Sequence, residues 1–237
     1  MIPLLEVLNL KVDILKRPIL KGITFTAMAG WYGILGINGS GKTTLLKALC
    51  ARQALSGGCI KFNSADLTGD EAQRARLFSF APAVNSLPQN LKARELIELL
   101  ADLKQVEPFE PHGVYKALGL EALKDTLIGS MSAGMRQRVS LYCAFLGTPD
   151  VIMLDEPFNW LDPVAVYDLK RELRTYADLS KCVITTLHEV SIFASQCDSG
   201  MLMHDGKPVR LFDEGHMPTK RSEMDEMETE IYQLFPR

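Results

Sequence analysis

The sequence of this chain contains Gly36-Ile37-Asn38-Gly39-Ser40-Gly41-Lys42-Thr43-Thr44, from which its fold can be inferred. It reads Gly, four residues, then Gly-Lys-Thr, which is the pattern of a phosphate-binding P-loop. A short apolar run at 31–35 precedes it and predicts a buried strand, while apolar residues at helical spacing follow it. The order of strand, glycine-rich loop and helix favours a phosphate site over a glycine-rich turn that Lys-Thr follows by chance.

Three glycines suit this loop to hold phosphate. Because Gly36, Gly39 and Gly41 carry no Cβ, the backbone can curl tightly and bring its N–H groups close to phosphate oxygens. The positive end of the dipole of the following helix points to the same place. We expect the Lys42 amine to reach the β- and γ-phosphates of a nucleotide, and the Thr43 hydroxyl to bind Mg²⁺.

The composition is that of a soluble globular protein. The chain has 237 residues, of which 47% are apolar and 23% are charged, enough for one large domain or a domain with an inserted subdomain. A net charge of −3 gives no electrostatic footprint for nucleic acid, so we expect no nucleic-acid partner. We expect neither a signal peptide nor a membrane span. Five scattered cysteines without a C-x-x-C pair predict reduced thiols in the cytosol.

Strand patterns flank the P-loop on both sides. Residues 4–10 and 19–27 are predicted to be strands that form an antiparallel sheet beside the P-loop strand. The P-loop helix is predicted to end near Ala54, before a Ser-Gly-Gly turn, and 59–63 is predicted to be another strand.

Residues 84–147 have a different pattern, which predicts an inserted helical subdomain. Apolar residues at helical spacing predict one helix around 91–100, a second at 114–118 and a third at 120–127. A last helix is predicted to begin at Ser132, which is a good N-cap.

Two later strands are predicted to end at residues capable of chemistry. The apolar run Val151-Ile152-Met153-Leu154 is followed by Asp155 and Glu156, and the strand at 181–187 is followed by His188. We also predict a helix and a hairpin, at 164–176 and 201–207. Strands that alternate with helices and carry polar residues at their carboxyl ends predict an α/β sheet with its ligand site along that edge.

Neighbouring residues at a strand end project to opposite sides, which allows opposite roles. We expect Asp155 to hold Mg²⁺ or its water, and Glu156 to accept a proton from the water that attacks the γ-phosphate. His188 shares that sheet edge, so we expect it to contact the γ-phosphate and the attacking water. Taken alone, Ser132-Ala133-Gly134 favours an ordinary capped helix over a second anion site.

Together these residues resemble the nucleotide-binding domain of ABC ATPases, over roughly residues 4–210. The stretch at 36–44 is similar to the Walker A motif of that family, and 151–156 to Walker B with the catalytic glutamate. Ser132 to Met135 lies where the family has its Leu-Ser-Gly-Gly-Gln signature. Leu161-Asp162 resembles the D-loop, and His188 the switch histidine.

The resemblance implies a fold, a domain division and a dimer. The fold class is α/β, with a P-loop NTPase core, an antiparallel β subdomain and an inserted helical subdomain. The division is an ATP-binding core (1–83 and 148–210), the helical subdomain (84–147) and a C-terminal tail (211–237). ATP with Mg²⁺ is implied between Walker A of one protomer and Ser132 and Gly134 of the other, in a homo- or heterodimer.

Three positions depart from the family pattern. The signature has Ala133 for Gly and Met135 for Gln, which would weaken contact with the γ-phosphate. Ala83 stands where the family has the Q-loop glutamine, which removes one contact to Mg²⁺ or water. The aromatic residue that stacks on adenine in the family should fall near Ile14 in this sequence. An aliphatic contact there would make the selectivity for the base looser.

The resemblance implies that this chain is the ATPase subunit of an ABC transporter. We expect it at the cytoplasmic face of the inner (plasma) membrane, bound to a separate integral membrane permease. The compact form of the chain favours an exporter-type system. One alternative is a soluble ABC ATPase that moves no cargo. Another is a nucleotide-dependent binding module with little turnover, which the residues at 83, 133 and 135 favour.

Overall fold

The computed structural model describes residues 4–109, 112–218 and 220–234, and its strands form two sheets. The strands are β1 (Leu5–Ile14), β2 (Arg17–Ala27), β3 (Gly30–Gly36), β4 (Gly57–Phe62), β5 (Ala65–Asp66), β6 (Phe78–Phe80), β7 (Val151–Leu154), β8 (Cys182–Leu187), β9 (Ser199–His204) and β10 (Lys207–Phe212). The helices are α1 (Lys42–Leu49), α2 (Glu71–Leu77), α3 (Ala93–Lys104), α4 (His112–Ala117), α5 (Ala133–Phe145), α6 (Pro163–Asp178), α7 (Val190–Gln196) and α8 (Arg221–Leu234).

The larger sheet has six strands in the order β10-β9-β3-β8-β7-β6. Its neighbours from β9 to β6 are parallel, and only the hairpin partner β10 runs antiparallel. Every residue of β3, β7 and β8 is buried, as expected for parallel strands that are covered on both faces. Since β3, β7 and β8 end at one edge, the loops that follow them lie side by side.

The two faces of this sheet belong to two different cores, and β3 serves both. Trp31 and Leu35 pack with the helical part of the chain, whereas Tyr32 and Ile34 pack with α1 and the smaller sheet. This division follows from the alternation of side chains along a strand. The smaller sheet is antiparallel in the order β2-β1-β4-β5, so the antiparallel sheet predicted from residues 4–27 is confirmed.

Two predicted helices differ from the structure. The P-loop helix ends at Leu49 rather than near Ala54, because Ala51 takes a left-handed backbone with φ of 56°. The segment 120–127 is not an α-helix but a 3-10 turn at Leu120–Ala122 followed by further turns. The N–H groups of Leu123 and Thr126 donate to the carbonyls of Leu120 and Leu123, which lie three residues back rather than the four of an α-helix.

The other predicted elements are present with shifted bounds, and two helices, α2 and α7, were not predicted. The helix predicted from Ser132 is α5, with the Ser132 hydroxyl accepting a hydrogen bond from the Met135 N–H. The last strand extends to Phe212, two residues into the predicted tail. Helix α8 then packs on α7 and buries Met227 and Ile231. Within the described ranges, no helix combines the length and the apolar character needed to cross a membrane.

Candidate functional site

The loop between β3 and α1 has the backbone that its glycines predict. Gly39 and Gly41 take left-handed conformations, with φ of 81° and 102°. A Cβ on Gly36 would lie 2.6 Å from the carbonyl oxygen of Met203 and from the Ser40 hydroxyl, so only glycine fits there. At Gly39, in contrast, the space around a Cβ is open to 4 Å, which leaves this side of the loop accessible to a ligand.

Two polar groups of the loop fit a bound phosphate. The Lys42 side chain is buried, and its amine donates to the carbonyls of Gly36 at 2.6 Å and Ile37 at 3.2 Å. Burial lowers the pKa of Lys42, and the charges of Glu156 and Asp155 act in the opposite direction. The Ser40 hydroxyl is buried without a hydrogen-bond partner among the described residues. An unsatisfied buried hydroxyl at the start of α1 is a group that a phosphate oxygen would satisfy.

The two residues predicted to hold Mg²⁺ lie in direct contact. The Thr43 hydroxyl donates to Asp155 Oδ2 at 2.7 Å. The Thr186 hydroxyl, which the sequence did not single out, donates to Asp155 Oδ1 at the same distance. Hydroxyl and carboxylate oxygens are the donors that Mg²⁺ prefers, and this ion commonly takes only one or two protein ligands beside phosphate and water. No cluster of three or more His, Cys, Asp or Glu residues suited to a metal occurs in the described part of the chain.

Glu156 and His188 also meet at this edge of the sheet. The His188 Nε2 lies 2.5 Å from Glu156 Oε1, and the Asn159 amide donates to Glu156 Oε2 at 2.5 Å. The side chains of Glu156 and His188 each keep about a third of their surface exposed. Glu156 has φ of 48°, an uncommon conformation for a residue with a side chain. The carboxylate is therefore held at both oxygens and remains open to solvent.

A cleft of about 310 Å³ lies over the P-loop, lined by residues 38–44 and by Glu156. The residue that the smaller sheet contributes to it is Ile19 rather than Ile14. Ile14 pairs with Arg17 at the tip of the β1–β2 hairpin, and it does not line this cleft. The adenine contact proposed for Ile14 therefore stays a prediction.

A second cavity, of about 260 Å³, adjoins Thr43, Asp155 and Glu156. The chain at 80–85 forms one of its walls, so a glutamine at the position of Ala83 would face Thr43 and Asp155. Three amide side chains line the same cavity and were missed by the sequence analysis, namely Asn85, Gln137 and Asn159.

Ser132 and Gly134 lie away from the phosphate loop and line neither of these cavities. The Ser132 hydroxyl caps α5. Gly134 is packed against the loop that follows Glu156, since a Cβ there would lie 2.5 Å from the Trp160 carbonyl oxygen. An ion pair between Arg138 and Asp162 joins α5 to α6 beside this contact.

Comparison with known proteins places this chain among nucleotide-binding proteins. A family model described as "ABC transporter" matches residues 20–159. The chain is 32% identical to ABC transporter A family member 5 of Dictyostelium discoideum, over 80% of this chain and 12% of that protein. It is 30% identical to the lipopolysaccharide export system ATP-binding protein LptB of Acidithiobacillus ferridurans, over 74% of this chain and 75% of that protein. The chain thus spans about an eighth of the Dictyostelium relative and most of the bacterial one.

Solved structures show the same fold. The ATP-binding subunit of an ABC transporter has a TM-score of 0.81 at 24% identity, covering 97% of this chain and 99% of that one. A nucleotide-free ATP-binding cassette from an ABC transporter has a TM-score of 0.80 at 17% identity, with both chains covered completely. The α/β fold class predicted from the sequence is therefore confirmed.

Proposed function

This chain belongs to the ABC transporter family, and we propose that it is the subunit that hydrolyses ATP to drive a separate membrane permease. One observation carries the proposal. The side chains of Thr43, Asp155, Glu156 and His188 come from the start of α1 and from the ends of β7 and β8, and they meet beside the P-loop. A glycine-rich loop alone would support nucleotide binding, whereas these four side chains also supply two residues that can hold Mg²⁺ and one that can act as a base.

The P-loop residues account for nucleotide binding. Residues 38–44 line the cleft, and backbone N–H groups of this loop and the positive end of α1 would hold the phosphates. The Lys42 amine donates to the carbonyls of Gly36 and Ile37, and it would exchange them for the more favourable β- and γ-phosphate oxygens. Thr43 and Asp155 would hold Mg²⁺, which when bound neutralises charge on the phosphate oxygens.

Glu156 accounts for hydrolysis, because its carboxylate is held at the edge of the cleft in a fixed direction. It would accept the proton of the attacking water, while His188 orients the carboxylate and contacts the γ-phosphate. Positioned bases of this kind contribute about 10²–10⁴-fold to a rate.

The separation of Ser132 and Gly134 from the P-loop of the same chain supports the head-to-tail dimer. In that arrangement the start of α5 faces the nucleotide of a second ATPase subunit, identical or different. In this proposal a separate permease supplies the transport pathway. It would hold the subunit at the cytoplasmic face of the inner membrane. Two of the relatives are export proteins by name, for lipopolysaccharide and Nod factor, which supports an exporter-type system.

The alternative is a binding module with little turnover. It rests on Ala83, because this residue places no polar side chain in the cavity beside Thr43 and Asp155. Measuring phosphate release from Mg-ATP separates the two. We expect steady turnover that stops when EDTA removes Mg²⁺, and a loss of at least 100-fold in Glu156→Gln. Glu107→Gln serves as the control, because Glu107 is exposed and lies outside the site.

Nucleotide binding without turnover in the wild-type protein would favour the binding module. A wild-type protein that turns over ATP but co-purifies with no membrane protein when its neighbouring genes are co-expressed would favour the soluble ATPase instead.

A further inference from the structure

Thr186 occupies a position that joins the two acidic residues of the site. Its side chain is completely buried in β8. The hydroxyl donates to Asp155 Oδ1 at 2.7 Å and accepts a hydrogen bond from the Glu156 backbone N–H at 2.8 Å. One hydroxyl group can serve as donor and acceptor at once, and here it uses both capacities on adjacent residues.

The strand register explains why a side chain is needed at this point. Strands β7 and β8 are parallel, and their pairing ends at Leu154 and Thr185. Beyond that pair the chain turns away at Glu156, which has φ of 48°, and the Glu156 N–H donates to the Thr186 hydroxyl. A buried N–H without a partner is costly, and a left-handed non-glycine residue persists only where its surroundings hold it. The Thr186 hydroxyl supplies the missing acceptor.

We propose that Thr186 is a positioning residue that fixes Asp155 and Glu156 relative to each other for ATP hydrolysis. The inference rests on the proposed function. With Oδ1 of Asp155 held by Thr186, Oδ2 is directed towards Thr43. With the Glu156 N–H held by the same group, the turn that aims the Glu156 carboxylate at the cleft is fixed. Thr186 itself is buried behind these residues, so it acts through them.

The neighbouring residue Thr185 provides a matched control. It is also a threonine, lies on the same strand and is completely buried. Its side chain points to the opposite face, where the hydroxyl accepts a hydrogen bond from Trp31 Nε1 at 2.8 Å. Thr→Val at either position removes one buried hydroxyl and keeps the shape of the side chain, but only the change at 186 touches the acidic pair.

The first measurement uses nucleotide-free protein, so it does not depend on activity. Amide hydrogen exchange, resolved by NMR, should be about tenfold or more faster at Glu156 in Thr186→Val than in wild type. Thr185→Val should leave this amide unchanged. Thr186→Ser keeps the hydroxyl and should retain the protection.

The second measurement follows turnover and the Mg²⁺ dependence of ATP binding. Residues that orient metal ligands typically contribute about 10–100-fold to activity or metal affinity. We expect Thr186→Val to lower kcat by that factor and to raise the Mg²⁺ concentration needed for tight ATP binding. ATP affinity without Mg²⁺ should not change, and Thr186→Ser should recover most of kcat. If kcat fell only because the protein became less stable, Thr185→Val and Thr186→Val would be affected alike.

The proposal would be overturned if Thr186→Val behaved like Thr185→Val in three measurements: the exchange rate of the Glu156 amide, kcat and the Mg²⁺ dependence of ATP binding. If the valine protein does not fold, Thr186→Ala and Thr186→Ser are compared instead, since only serine keeps the hydroxyl. If wild type releases no phosphate, the proposed function is wrong. The exchange data and the Mg²⁺ dependence of ATP binding then still decide whether Thr186 holds the two residues together.

Discussion

Gly134→Ala tests how the start of α5 is coupled to the catalytic loop. Gly134 is the second residue of α5, where replacing glycine by alanine favours a helix by about 0.5–1 kcal/mol on intrinsic propensity. The structure predicts the opposite sign. The new Cβ would lie 2.5 Å from the Trp160 carbonyl oxygen, and contacts under 3.0 Å essentially never occur, so helix and loop must separate by at least about 0.5 Å.

The size of the effect follows from this displacement. Because the contact is with backbone, no side-chain rotation relieves it, and overpacking of this kind costs about 1–3 kcal/mol. For a protein of this size that corresponds to a fall in melting temperature of roughly 2–12 °C. The loop that would move also carries Asn159, which holds Glu156, so turnover should fall by roughly 10- to 100-fold.

Thermal melting and phosphate release on the same preparations provide the test. The control is Gly69→Ala, since Gly69 is exposed, has no atom within 4 Å of the added Cβ and lies outside the left-handed region. It should melt and turn over like wild type. A Gly134→Ala protein that is as stable and active as wild type would refute the packing argument.

Three other changes have distinct expected results. Lys42→Ala should abolish ATP binding without unfolding the protein, as measured by calorimetric titration and a thermal melt; unchanged affinity would contradict the P-loop assignment. Ala133→Gly with Met135→Gln restores the usual residues of the family and should raise phosphate release or tighten ATP-driven dimerisation; a fall in both would mean that the departures are adaptations. Asn159→Ala should lower kcat by about 10–100-fold at unchanged ATP affinity, because the Glu156 carboxylate loses the Asn159 amide that holds Oε2; a faster enzyme would show that Asn159 restrains the base.

The sequence predicted those parts of the site that depend on strand ends. Asp155 follows the end of β7, and Thr43 lies at the start of the helix that the P-loop joins to β3; the ends of parallel strands meet at one edge whatever the details of packing. Their contact was therefore accessible to reasoning from pattern alone. The same applies to Glu156 and His188, which the structure also brings together.

The roles of Thr186 and Asn159 could not be predicted in this way. Both contact the turn at Glu156, whose N–H donates to Thr186 and whose carboxylate accepts from Asn159. No pattern of apolar residues encodes that turn. The helix predicted at 120–127 was also wrong, because its apolar spacing does not distinguish an α-helix from the successive turns that the Leu120 and Leu123 carbonyls close with N–H groups three residues on.

Glu156→Gln tests the central claim, an ATP site completed by a second subunit, most directly. The substitution keeps the size of the side chain and removes the base, so ATP should bind, bridge two chains and remain. Size-exclusion chromatography with light scattering should show a monomer without nucleotide and a dimer with Mg-ATP. Wild-type specific activity should rise with protein concentration until the dimer saturates. Activity independent of concentration, together with a Glu156→Gln protein that stays monomeric in saturating Mg-ATP even beside its permease, would contradict the account.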